Sequence, residues 1–191
     1  MYDPLKSTSF FVRELQQKTE NPHFTTVIGI PREKDGAERR LALTPETVAL
    51  LVAAGYRVLL ETGAGLTINY SDRYYAESGA EIMENAREVF QADLILKIMP
   101  PTEEEVEMMR PRSTVFSFLY LHTLSTSLLE KMAEKRINAL AYELLYDQTG
   151  VSPFVTAISE IEGLFSITLA AELLSNAHGG KGILLGGYFG G

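Results

Sequence analysis

From Thr25 onward, short apolar runs alternate with amphipathic stretches. "TTVIGI" (25–30) is β-branched and apolar and is bounded by charge, which predicts a buried strand. Thr44-Pro45-Glu46 reads as a helix start: a capping hydroxyl, a proline at the first helical position and an acid in the first turn. That helix should run to about Ala54 and stop at Gly55. "YRVLLE" (56–61) is the next strand, and "SDRYYAESG" (71–79) the next helix, capped by Ser71 or Asp72. "AEIM" predicts a short strand and "NAREVFQ" a short helix. "DLILKIM" (93–99) is a strong strand ended by Pro100-Pro101, and "TEEEVEMMR" (102–110) is a helix with its acids at the positive end. "STVFSFLYL" (113–121), "STSLLEKMAEKR" (125–136) and "INALAYELL" (137–145) repeat the cycle of strand, helix and strand. A long helix is expected over 153–178, ended by Gly179-Gly180.

Apolar strands separated by amphipathic helices predict an α/β fold, a parallel sheet of about six strands covered by helices on both faces. Such a flavodoxin-like or Rossmann-like sheet binds ligands beyond the carboxyl ends of its strands. The organisation expected is an N-terminal extension (1–25) with one short helix in "SFFVRELQQKT", a main domain (26–152), and a connecting helix with its glycine-rich tail (153–191).

Totals narrow the function. The 191 residues carry a formal charge of −8 and no cysteine. An acidic chain is a poor candidate for nucleic acid or an anionic membrane surface. Disulfides and thiolate metal sites are excluded. His23, His122 and His178 lie far apart without ligand spacing, so no metal site is expected. The first residues do not resemble a signal peptide. The apolar stretch 151–175 is interrupted by Glu160, Glu162 and Glu172, so a cytoplasmic protein without membrane insertion by this segment is expected.

The strand-end loops hold the candidate chemistry. After the first strand comes "PREKDGAERR". Arg39 and Arg40 point different ways in an extended segment, so one can be solvated while the other faces inward. An inward guanidinium matches a carboxylate with two charge-assisted bonds; the bland alternative pairs Arg40 with an internal acid such as Glu61. Lys97 closes an apolar strand and must reach solvent or meet a polar partner. Met99 is expected on its face, about 7 Å further along. Tyr120 and His122 share a face by the same period, and a strand-end histidine can serve as an acid. "ETGAG" holds Gly63 and Gly65 but lacks the third glycine of a dinucleotide fingerprint.

Several of these segments together resemble one family. "IGIPREKDGAERRLALTPETVALLVAAGYRVLLETGAG", "YSDRYYAESGAEI", "ADLILKIMPP" and "AISEIEG" resemble the alanine dehydrogenase and pyridine nucleotide transhydrogenase family, and the tail "GGKGILLGGYFGG" is similar to its alanine dehydrogenase branch. The resemblance implies that 26–152 is a substrate domain and that an NAD-binding domain begins just after the tail, so that these residues alone would be inactive. It implies NAD as cofactor, a small carboxylate substrate and a homo-oligomer. It also assigns Arg40 to the substrate carboxylate and Ser159 a place beside the dinucleotide.

Two positions depart from the family pattern. Met99 stands where alanine dehydrogenases usually carry a second lysine, and Tyr120 where they carry the catalytic histidine. A thioether can neither donate a proton nor stabilise an oxyanion. A shifted catalytic pair, Lys97 with His122, would compensate, with Met99 and Tyr120 lining the substrate. Three expectations stay open: an NAD-dependent alanine dehydrogenase, a nucleotide-binding component of a proton-translocating transhydrogenase, and a non-catalytic relative.

Overall fold

The computed structural model describes residues 26–34, 36 and 38–185. The extension 1–25, with its expected helix, and the end of the glycine-rich tail lie outside the described residues. The chain divides into two compact units, one through Ala141 and one from Tyr142. The boundary expected from sequence stood later, at 152/153. Tyr142 belongs with the second unit because its ring packs 4.6 Å from that of Phe154.

The first unit is a six-stranded sheet: β1 (Val27–Ile30), β2 (Arg57–Glu61), β3 (Glu81–Met83), β4 (Leu94–Leu96), β5 (Thr114–Ser117) and β6 (Asn138–Ala141). Every pairing is parallel and the order is β3-β2-β1-β4-β5-β6. Helices α1 (Pro45–Ala53), α2 (Asp72–Glu77), α3 (Ala86–Val89), α4 (Glu103–Met108) and α5 (Thr126–Glu134) make the crossovers. This is the Rossmann-like arrangement expected from the alternation. The strand order turns back between β1 and β4, and the loops leaving those two strands flank the switch point where such sheets receive ligands.

Two apolar cores follow from strand alternation. Ile28, Ile30, Val58 and Leu60 pack with Val48 of α1 and Tyr75 of α2. Ile95 and Val115 pack with Val106 of α4 and with Leu128 and Met132 of α5. Gly29 faces this second side, where a Cβ would sit 2.4 Å from the Val89 carbonyl oxygen. Only glycine lets that backbone come so near.

The observed strands are shorter than the apolar runs. β5 ends at Ser117, although Phe118 and Leu119 remain buried. The segment 142–144, expected within a strand, forms a 3-10 turn.

In the second unit, α6 (Pro153–Leu174) has 22 residues, none of them buried. It stops short of the expected 178 because Ser175 turns extended and its Oγ accepts from Ala177 N–H at 3.2 Å, opening a 3-10 turn instead. Its length and apolar content would also suit a membrane span, a property shared by many core helices.

Candidate functional site

The loop after β1 is fixed from several directions. Glu61, the last residue of β2, is 6% exposed and accepts the Arg32 N–H at 2.9 Å. Its other oxygen lies 3.6 Å from the Arg32 guanidinium. At the far end of the loop the Tyr75 hydroxyl donates to the Leu43 carbonyl at 2.9 Å. Burial, with Tyr70 and Glu46 nearby, pushes that phenol up to about 12.

Glu33 crosses the switch point. Its carboxylate accepts from Ile98 N–H at 2.6 Å and from Met99 N–H at 3.4 Å. It also lies 3.3 Å from Lys97 Nζ. Ladder bonds from Lys97 N–H to the Phe116 carbonyl and from Phe118 N–H to the Ile98 carbonyl, each 3.0 Å, keep the chain extended beyond β4. Lys97 thereby follows Ile95 in alternation and faces α4. There its ammonium meets Glu105 Oε1 at 3.1 Å, and neither side chain is more than 2% exposed. The other Glu105 oxygen accepts from Thr102 N–H at 2.9 Å, while Thr102 Oγ1 accepts from Glu105 N–H at 3.2 Å. Glu105 therefore closes a capping box on α4 and pairs Lys97 with the same carboxylate.

This geometry corrects the expected Lys97–His122 pair. Lys97 does not reach solvent; two buried carboxylates hold it. His122 lies in an exposed turn. Tyr120 and His122 do not share a strand face, because β5 has already ended and Tyr120 adopts a positive φ of 44°. The Tyr120 ring stacks on Phe118 at 5.5 Å and is partly exposed. Met99 is half-buried.

Neither Arg39 nor Arg40 is buried. Glu61 is the partner of Arg32, and Arg40 is engaged by Glu38 instead. Arg40 Nε donates to Glu38 Oε1 at 2.9 Å and Nη2 donates to Oε2 at 2.6 Å. The backbone N–H of Arg40 adds a third bond to Oε1 at 2.7 Å. The guanidinium holds the Glu38 carboxyl below the usual carboxylate range, against the opposing cost of burial. Glu38, Arg39, Leu66 and Asn69 line a neighbouring cleft of about 490 Å³. Arg40 thus has a bidentate carboxylate partner, but the carboxylate is the protein's own.

Sequence reasoning missed Glu33, Glu38 and Glu105. Thr102 and Glu105 stand at capping-box spacing, and Glu38 stands two residues before Arg40, so two of the three left a legible signal. Glu33 left none, because its partners come from a different strand.

The glycine pair Gly63 and Gly65 serves a local turn. The Gly63-Ala64-Gly65 turn opens a five-residue 3-10 helix, Ala64–Ile68. A Cβ on Gly65 would sit 2.5 Å from the Tyr75 ring, so this glycine admits internal packing rather than a phosphate. Ser159 lies exposed on α6 in the second unit.

Residues 29–162 match the family described as alanine dehydrogenase/PNT, N-terminal domain, and the chain belongs to that family. It is 39% identical over 162 residues to an alanine dehydrogenase of Methanococcus maripaludis, covering 84% of this chain and 43% of the relative. It is 36% identical over 161 residues to one from Bacillus subtilis, covering 84% of this chain and 42% of the relative. A solved L-alanine dehydrogenase superposes with a TM-score of 0.80 at 31% identity, over 85% of this chain and 45% of the other. A transhydrogenase from Sinorhizobium meliloti superposes with a TM-score of 0.59 at 29% identity, over 62% of this chain and 35% of the other. The chain spans less than half the length of these relatives.

Proposed function

We propose that this chain is the N-terminal part of an NAD-dependent alanine dehydrogenase-like oxidoreductase, converting L-alanine to pyruvate and ammonia. The observation that supports the reading most is Arg40. The family resemblance assigns it to the substrate carboxylate, in a chain 39% identical to an alanine dehydrogenase, and its contact with Glu38 has the geometry of a guanidinium gripping a planar carboxylate. In this reading Arg40 binds the substrate carboxylate, and Met99 and Tyr120 line the substrate. Of the expected catalytic pair only His122 is accessible for proton transfer, since Lys97 is committed to Glu33 and Glu105.

The cofactor, when bound, accepts hydride. Following the family resemblance, Ser159 is assigned to its edge, and most of its binding to a domain other than the one described. The protein is further proposed to be cytoplasmic and homo-oligomeric, with the apolar surface of α6 as a contact face. The 191 residues alone are expected to show no turnover.

Met99 and Tyr120 favour a second reading, the nucleotide-binding component of a proton-translocating transhydrogenase, which needs no amino-acid chemistry. The superposition on a transhydrogenase structure is in keeping with it. Alanine-dependent NADH formation by the full-length protein separates the two. Its absence, with dinucleotide binding intact, would falsify the first reading in favour of the second.

A further inference from the structure

We propose that the cleft between the β1 loop and the turn after β2 is a binding site for a small α-amino acid, held as its zwitterion by Arg39 and Glu33. The site is separate from the Arg40 clamp and does not rest on the function proposed above.

The cleft measures about 490 Å³, within the roughly 300–1,000 Å³ of small-molecule sites. Glu33, Glu38 and Arg39 come to it from the β1 loop, and Leu66, Thr67 and Asn69 from the 3-10 turn after β2. Arg40 is not among its lining residues.

Charge decides what the cleft can hold. Glu38 is matched by Arg40, so that pair adds no net charge. Glu33 belongs to the cluster with Lys97 and Glu105, in which two carboxylates share one ammonium and one negative charge is left over. Glu33 is the member of that cluster that lines the cleft, and its side chain is 5% exposed. Its Oε2 meets Lys97 and the Met99 N–H, whereas Oε1 accepts from Ile98 N–H alone among the described residues. A carboxylate oxygen has two lone-pair sites, so Oε1 has capacity for another donor. Arg39 carries the opposite surplus. Among the described residues its guanidinium has neither a hydrogen-bond nor an ion-pair partner.

One unmatched charge of each sign in one cleft is the complement of a zwitterion. A dicarboxylate would set a second negative charge against Glu33, and a simple amine would leave Arg39 unmatched. An α-amino acid answers both. Its carboxylate takes two parallel bonds from the Arg39 fork, and its ammonium donates to Glu33 Oε1. Thr67 and Asn69 add a hydroxyl and an amide, and the exposed Leu66 offers apolar contact to a short side chain.

The test is titration of L-alanine into the full-length protein and its R39Q and R39K forms, read by saturation transfer from protein to the ligand's methyl protons. Propionate, which lacks the ammonium, and ethylamine, which lacks the carboxylate, are titrated alongside. Arg39 is exposed and makes no side-chain contact to lose, so equal urea midpoints are expected for the three proteins. The part of the alanine signal that depends on Arg39 reports the cleft. We expect R39Q to weaken that binding about tenfold, the scale of one charge-assisted bond, and R39K to keep part of it. Propionate and ethylamine should each bind there about tenfold more weakly than alanine. In turnover, R39Q should leave KM for L-alanine unchanged, because the Arg40 clamp is a different site. An R39Q titration that superimposes on the wild type overturns the site. Propionate binding as tightly as alanine overturns the role of Glu33 and with it the zwitterion. A KM that rises in R39Q as far as binding weakens makes Arg39 part of the substrate clamp and overturns the second site. The binding comparison needs no turnover, so it decides the matter even if the protein does not oxidise alanine.

Discussion

Lys97 Nζ lies 3.1 Å from Glu105 Oε1, with both side chains out of solvent. This contact joins the end of β4 to the first turn of α4, and Glu33 completes it from the β1 loop. Two carboxylates around one ammonium are tolerable only because backbone N–H groups of Ile98, Met99 and Thr102 share the negative charge. The cluster therefore fixes three loops at the switch point, and Lys97 serves structure.

Lys97→Met should cost about 3–5 kcal/mol, since it strands two buried carboxylates. The triple change K97M/E33Q/E105Q should recover part of that loss by removing the charges as well. Urea unfolding of the three proteins measures both. A loss under about 1 kcal/mol for Lys97→Met would mean that the ammonium is solvated in the folded protein.

Tyr75 should make the fold sensitive to alkali. The phenol is raised from 10.0 to about 12 in the folded state. Between those values the unfolded chain ionises and the folded chain does not, so stability present below pH 10 is lost as pH rises toward 12. Tyr75→Phe should flatten this alkaline slope. It should also cost about 1–3 kcal/mol at neutral pH, because the Leu43 carbonyl loses its donor. Unfolding curves across that range give both quantities, and equal slopes in the two proteins would contradict the assignment.

Gly29→Ala should destabilise the first unit by about 1–3 kcal/mol, because the new methyl meets the Val89 carbonyl. Gly36→Ala, with nothing within 4 Å of an added Cβ, is the matched control and should be nearly silent. Thermal melts of the two variants decide it.

The alternation of strand and helix was legible because binary period and caps act locally. The strand ends were not. Phe118 and Leu119 are as apolar and buried as residues of β5, so pattern alone carries the strand through to Leu121. The chain instead breaks at Tyr120, whose positive φ no side-chain pattern announces. The acids of "TEEE" read as complements to the helix dipole, which suits Glu103 and Glu104. Glu105 is buried against Lys97, a pairing between strand and helix that appears only once the helix is docked. Arg40 was expected to face inward, yet it is half exposed and anchored by the glutamate two residues before it. That spacing was visible in the sequence; its geometry was not.

Restoring the family pattern with Met99→Lys and Tyr120→His should raise alanine-dependent turnover of the full-length protein by about a hundredfold, the lower range for a general acid–base group. Histidine also tolerates the positive φ at position 120 better than tyrosine. Steady-state kinetics of the double variant check this. No gain would place the acid–base group elsewhere, with His122 the next residue to substitute.

The most direct measurement is the initial rate of NADH formation from L-alanine by the full-length protein, compared with its R40Q form. A rate that saturates with alanine in the wild type, and that R40Q reduces mainly through a higher KM, is the predicted result. A wild type that binds dinucleotide without oxidising alanine, or an R40Q enzyme indistinguishable from it, contradicts the account.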